Sequence, residues 1–174
     1  RYFKNLLNKT PNSKDIIYNL ASTFKSNGEL VKAKFYFNKL LKIDDKNIKS
    51  YLLLGEVLCD THSLNQGLKL FKKAIALDEK DHTSYSFLLF YSNYCPNHTS
   101  EEIFSYYQQF DNKFGLPLQK EWKPFTPLKK PKKKLKIGYV SPDFRNHSMK
   151  GFLKPVLANH NHQKFEVYAF AELS

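Results

Sequence analysis

The chain has 174 residues, 41% of them hydrophobic, and a formal net charge of +12 at pH 7. This length suits one or two small domains, and the longest apolar run, around Tyr51 to Leu58, is far short of the roughly 18 residues a membrane span needs. The charge raises nucleic acid as a partner, but only Arg1 and Arg145 are arginines, and phosphate and base recognition leans on the guanidinium fork, so none is expected.

Cys59 and Cys95 are the two cysteines, without metal-ligand spacing. They read as buried, reduced thiols of a cytoplasmic or nuclear protein. The chain begins at Arg1 rather than at a methionine and ends after a strand-like run. It is therefore expected to be a piece of a longer protein.

In chain order, the first signal is a repeat. Phe3, Phe37 and Phe71 stand 34 residues apart, the period of the tetratricopeptide repeat (TPR), in which two helices pack antiparallel. The same step links Leu6, Leu40 and Ala74, then Ile17, Tyr51 and Tyr85, then Leu20, Leu54 and Leu88. Small residues recur as well, pairing Ala21 with Gly55 and Ala33 with Gly67. Small side chains let paired helices approach, and large ones fill the space between neighbouring pairs. The pattern predicts a trailing helix from Arg1, full repeats over 14–47 and 48–81, and an altered terminal unit over 82–115. Gly28 marks the inter-helix turn of one repeat, where a positive φ is expected, and His62 takes that place in the next as a solvated residue.

Such arrays stack into a superhelix whose concave face accepts extended peptide. Asn19 is the candidate there, an amide able to hydrogen-bond a peptide backbone. The matching positions in the next units are Leu53 and Phe87.

The residue pattern breaks at Cys95-Pro96-Asn97, because proline disfavours helix at the residue before it. Thr99 and Glu102 have capping-box spacing and open a helix through Phe110, which Gly115 and Pro117 are expected to end. Residues 116–134 carry four prolines and the run Lys129-Lys130-Pro131-Lys132-Lys133-Lys134, the composition of an extended, solvated linker. Trp122 and Phe125 are expected to pin it to a domain.

Residues 135–174 read as strand, helix, strand: Leu135 to Ser141, then about Ser148 to His160 with Pro155 inside, then Phe165 to Leu173. That order predicts a parallel βαβ unit, the opening of an α/β domain. Its strands are apolar enough to be buried on both faces, which two strands cannot achieve alone. The turn after the first strand, Ser141-Pro142-Asp143-Phe144-Arg145-Asn146-His147-Ser148, stands where open α/β sheets hold ligands. It has no glycine-rich dinucleotide fingerprint. Arg145 and Asn146 are candidate ligand-binding residues, and His147 is either a general base or the residue that orders the loop through Asp143 or a backbone carbonyl.

Together, the repeats, Ser-Tyr-Ser-Phe-Leu-Leu-Phe-Tyr-Ser-Asn-Tyr at 84–94, Ser-Glu-Glu-Ile-Phe at 100–104, Lys-Ile-Gly-Tyr-Val-Ser-Pro-Asp-Phe-Arg-Asn-His-Ser at 136–148 and Lys-Phe-Glu-Val-Tyr-Ala-Phe at 164–170 resemble the SPINDLY-like proteins and O-linked N-acetylglucosamine transferases. The resemblance implies a TPR solenoid followed by the start of a Rossmann-like GT-B domain. It implies transfer of N-acetylglucosamine from UDP-GlcNAc to serine or threonine hydroxyls of proteins held by the repeats, without a cofactor or metal. It makes His147 the family's Asp-Phe-x-x-His histidine, an active-site residue and candidate base. The residues that hold the nucleotide sugar belong mostly to the second GT-B half, so no donor contact is assigned and the 174 residues alone are expected to be inactive. The competing reading is a non-catalytic TPR scaffold with a basic linker.

Overall fold

Among the described residues, the first part of the chain holds six helices in three antiparallel pairs: α1 (Lys14–Ser26) with α2 (Leu30–Ile43), α3 (Ile48–Asp60) with α4 (Leu64–Leu77), and α5 (His82–Ser92) with α6 (Ser100–Phe110). The computed structural model describes residues 10–124 and 134–171. The chain divides into two compact units, Arg1–Trp122 and Lys123–Ser174, each described separately below. The expected helix at Arg1, with Phe3 and Leu6, lies outside the described residues.

The 34-residue step becomes a stack of buried positions. Ala21, Ala33, Phe37 and Leu54 form one core cluster; Tyr51, Phe71, Ala74 and Leu88 form the next. Phe37 and Phe71 are fully buried, so each repeat's phenylalanine fills the same slot. Gly28 closes its turn at φ 74°, as its place in the repeat predicts, and His62 adopts φ 59° in the matching turn. That is left-handed backbone, which costs a side chain with a Cβ about 1–2 kcal/mol.

The terminal pair keeps the step while losing the residues. α5 begins at His82, 34 residues after Ile48, whereas Phe71 and Ala74 give way to Ser105 and Gln108. New contacts replace the lost ones. Lys72 Nζ donates to Tyr106 Oη at 2.8 Å, and Lys113 pairs with Glu79 at 2.8 Å; both pairs span one repeat. The capping box at α6 forms as its spacing predicts, with Glu102 N–H donating to Thr99 Oγ1 and Thr99 N–H to Glu102.

Gly115 and Pro117 do not stop this helix. A π turn, Asp111–Gly115, continues it and leads into a 3₁₀ turn, Leu116–Glu121. Pro117 sits at the start of that turn, where its missing N–H would have had no intrahelical partner. The π turn aims Phe114 at Tyr85 and Phe110, with ring centroids 5.3 and 5.0 Å away. That aromatic clasp supplies the reason for continuing. The extended linker expected from residue 116 therefore begins as helix. Trp122 is not pinned: it is 71% exposed. Phe125 and Lys129 to Lys133 lie outside the described residues.

In the second unit, β1 (Leu135–Val140) and β2 (Phe165–Phe170) pair in parallel, Leu135 opposite Phe165 and Val140 opposite Phe170, with α7 (Lys150–Ala158) between them in sequence. The βαβ order is as the pattern predicts. The helix is shorter than the 148–160 expected, because residues 148 and 149 form the turn that feeds it and Asn159 ends it. Leu173 lies outside the described residues. Two strands leave much apolar surface bare: Leu135, Val140, Phe152 and Phe170 are all exposed.

Candidate functional site

The candidate loop starts where β1 ends. Ser141 Oγ accepts from the Asp143 N–H at 3.1 Å, a local turn that substitutes for the sheet hydrogen bonds the chain has just left. Two further backbone bonds set the path into α7: His147 N–H to Arg145 O at 2.9 Å and Lys150 N–H to His147 O at 3.0 Å. Met149 then caps α7, its carbonyl receiving the Phe152 and Leu153 amides.

His147 has a side chain 41% exposed. Its Nδ1 stands 3.8 Å from Asp143 Oδ2, beyond hydrogen-bond reach, so the neutral ring is not anchored by that carboxylate. Instead the Met149 N–H donates to Nδ1 at 3.3 Å. A neutral imidazole that accepts at Nδ1 carries its proton on Nε2, so in this geometry the other ring nitrogen is a donor. The hydrogen-bond partner of the His147 ring in this loop is thus a backbone amide rather than Asp143 or a carbonyl.

Arg145 and Asn146 come together in a groove of about 660 Å³ that His147 does not line. Its opposite wall is the Lys150, Leu153, Lys154 and Leu157 face of α7. Arg145 Nη2 lies 3.9 Å from Asp143 Oδ1, leaving the groove with a cationic excess from Arg145, Lys150 and Lys154. The two lysines were not singled out from sequence. Their spacing of four on a helix, flanking Leu153 and Leu157, is the signal that would have found them. A second unforeseen contact is Tyr139 Oη to His160 Nε2 at 2.7 Å, which ties the C-terminal end of α7 to β1.

Asn19, the candidate in the other unit, is exposed on α1 and its carbonyl accepts from Thr23 Oγ1 at 2.7 Å. Leu53 and Phe87 occupy the matching places on α3 and α5, both half-buried. The thiols of Cys59 and Cys95 are free and buried, and burial, with carboxylates nearby, pushes Cys59 up to about 12. Cys59 therefore stays protonated and unreactive. Among the described residues no helix is long and apolar enough to cross a membrane.

Comparison with known proteins agrees with both parts. Residues 116–174 match glycosyl transferase family 41, and residues 15–47 match a tetratricopeptide repeat. The probable UDP-N-acetylglucosamine–peptide N-acetylglucosaminyltransferase SPINDLY of Solanum lycopersicum is 27% identical over 81 residues, 47% of this chain and 9% of the relative. The probable enzyme SEC of Arabidopsis thaliana is 39% identical over 67 residues, 34% of this chain and 6% of the relative. A mutant of the Thermobaculum terrenum O-GlcNAc transferase shares the fold at a TM-score of 0.81 and 23% identity, over 97% of this chain and 32% of that one. The protein MamA shares it at 0.57 and 18% identity, over 68% of this chain and 74% of that one. The aligned stretches thus cover about a tenth or less of the curated relatives. Tetratricopeptide repeats thus lead into a segment that matches glycosyl transferase family 41, and over these stretches the chain is similar to the SPINDLY-like and O-linked N-acetylglucosamine transferase proteins.

Proposed function

We propose that the full-length protein transfers N-acetylglucosamine from UDP-GlcNAc to serine or threonine hydroxyls of proteins, and that its repeats bind the acceptor. The observation that carries this reading is the match of residues 116–174 to glycosyl transferase family 41, a span that holds the whole loop from Ser141 to Met149. A serine hydroxyl is a weak nucleophile until a neighbour takes its proton. His147 is the group in the loop suited to that task near neutral pH. Acting as base, it gives up the Met149 amide so that Nδ1 is free, or shifts its ring proton from Nε2 to Nδ1. Kept as it stands, it serves instead as an Nε2–H donor to an oxygen of the reactants.

Arg145 and Asn146 offer a cation and an amide to the substrates from the groove beside α7, with Lys150 and Lys154 adding charge suited to phosphate oxygens. Asn19 offers its amide to the acceptor backbone. Mass spectrometry of peptides incubated with the full-length protein and UDP-GlcNAc tests the reading. An added N-acetylhexosamine on serine or threonine is the expected result, and its absence with every nucleotide sugar supplied would overturn it.

A further inference from the structure

The outward side of α2 is built differently from that of α4. Ala33, Phe37 and Leu40 turn one side of α2 into the core. On the opposite side Val31, Phe35, Asn38 and Lys42 follow one another at steps of three and four residues, so they share one face. Val31 is 83% exposed and Phe35 63%. One repeat further on, α4 carries Asn65 and Lys69 at the places matching Val31 and Phe35. Packing of a helix pair therefore does not call for an apolar residue at either place, and the two on α2 need another reason.

Phe35 is held ready. Its ring meets that of Tyr36 edge-on at 5.1 Å between centroids, and Tyr36 stacks on Phe24 at 5.5 Å. This chain of rings runs from the surface to a buried phenylalanine of the first core cluster, so Phe35 has little freedom left to lose on binding. Around it, Val31, Lys34, Asn38, Lys39 and Lys42 complete a groove of about 400 Å³. Three ammonium groups and no carboxylate line it. Lys39 Nζ donates to the Pro11 carbonyl at 2.9 Å, which fixes that charge without neutralising it. Lys34 and Lys42 have no ion-pair partner among the described residues.

An apolar slot rimmed by cations is complementary to an apolar side chain flanked by carboxylates. A second copy of the same face would bring lysine against lysine. One exposed ring in a groove offers a lipid surface little to grip, whereas a single side chain fits it. We infer that this face of α2 docks an acidic segment of a partner protein, with one apolar side chain seated on Val31 and Phe35 and carboxylates paired with Lys34 and Lys42. The site is on the second helix of its pair, whereas Asn19 is on the first. It adds a partner surface to the acceptor role proposed for the repeats and does not depend on that role.

Fluorescence anisotropy with the 174-residue chain tests it. The probe is a fluorescein-labelled peptide with one leucine between two pairs of glutamates, among glycine and serine. Comparison peptides replace the glutamates by glutamines, or the leucine by serine. The probe is expected to bind about tenfold more tightly than the glutamine peptide and a few-fold more tightly than the serine peptide. Lys34→Gln combined with Lys42→Gln should remove most of the preference for glutamate. Phe35→Ser should remove the preference for leucine and leave that for glutamate. All three side chains are exposed, so both variants should keep the wild-type circular dichroism and melting curve. Absence of probe binding would overturn the inference. So would equally tight binding by the Lys34→Gln, Lys42→Gln chain, which would assign the attraction to other lysines. Cosedimentation with vesicles of four parts phosphatidylcholine to one part phosphatidylserine, lost in Phe35→Ser, would overturn it in favour of a membrane. Self-association in analytical ultracentrifugation, lost in the same variant, would overturn it in favour of a second copy.

Discussion

The carbonyl oxygen of Gly55 lies 2.7 Å from the place where a Cβ on Gly67 would stand, and the Cys59 sulfur lies 2.3 Å from it. α3 and α4 therefore cross where neither can carry a side chain. At Gly55 itself, a Cβ would come within 2.4 Å of the Phe71 ring. The preceding pair of helices holds Ala21 and Ala33 at the same two repeat positions, both fully buried. The second repeat packs its phenylalanine and its cysteine into the room that a methyl group takes in the first.

Gly67→Ala should accordingly destabilise the repeat unit. The methyl meets a backbone oxygen, which cannot swing aside as a flexible side-chain end would. Overpacking of this kind costs about 1–3 kcal/mol, more than the roughly 1 kcal/mol that alanine gains in helix propensity. Urea denaturation followed by circular dichroism should show a lower midpoint, and a midpoint at or above that of the wild type would show that the helices part freely.

His62→Gly should act in the opposite direction. His62 is exposed and holds φ 59° in the turn where the other repeat has Gly28 at φ 74°. Removing the Cβ relieves left-handed strain, while glycine's greater freedom in the unfolded chain offsets part of the gain. A net stabilisation of up to about 1 kcal/mol is expected from thermal melts, and a loss of stability would mean that the imidazole makes a contact worth more than the strain.

Asp81 caps α5, accepting from the Thr83 and Ser84 amides at 3.1 Å each. Burial alone would raise its carboxyl, but these bonds together with the Ser84 hydroxyl outweigh it and hold Asp81 below the usual 3.8. A depressed folded-state value means the stabilisation is full above about pH 3.8 and is lost as pH falls through the lower folded value. Asp81→Ala should therefore cost about 1 kcal/mol near neutral pH, and the gap from wild type should narrow below pH 3.8. A gap that stays constant down to pH 2 would show that the charged carboxylate is not what caps the helix.

In the full-length protein, His147→Ala should lower sugar transfer by about 100-fold to 10,000-fold if His147 is the base. His147→Gln separates the two roles, because a glutamine amide still donates a hydrogen bond but takes no proton. Equal loss in both variants points to the base, and substantial activity in the glutamine variant alone points to the Nε2–H donor. Near-normal turnover in the alanine variant would remove His147 from the chemistry.

The repeat was legible because its constraint is local and recurs. Each 34-residue step needs small residues where helices cross and a phenylalanine where pairs stack, so Ala21, Gly55, Phe37 and Phe71 announce themselves. The βαβ order was legible for a similar reason, since apolar strands of six residues flank one short amphipathic helix. Less was legible at the candidate loop. Asn146, Arg145 and His147 could be named, but their partners depend on how a turn folds back. Sequence spacing offered Asp143 as the partner of His147; the chain's path instead brought the Met149 amide to Nδ1.

What the sequence by itself determined about this protein is its periodic architecture, the parallel strand pair and the residues of one polar loop. Tertiary structure alone decided that the helix past Phe110 runs on through a π turn, because only packing brings Phe114 onto Tyr85. It also set the ring proton of His147 and turned Lys150 and Lys154 toward Arg145. Periodic patterns report the helix faces that must be buried, whereas a hydrogen bond or a ring contact depends on where two distant backbones arrive.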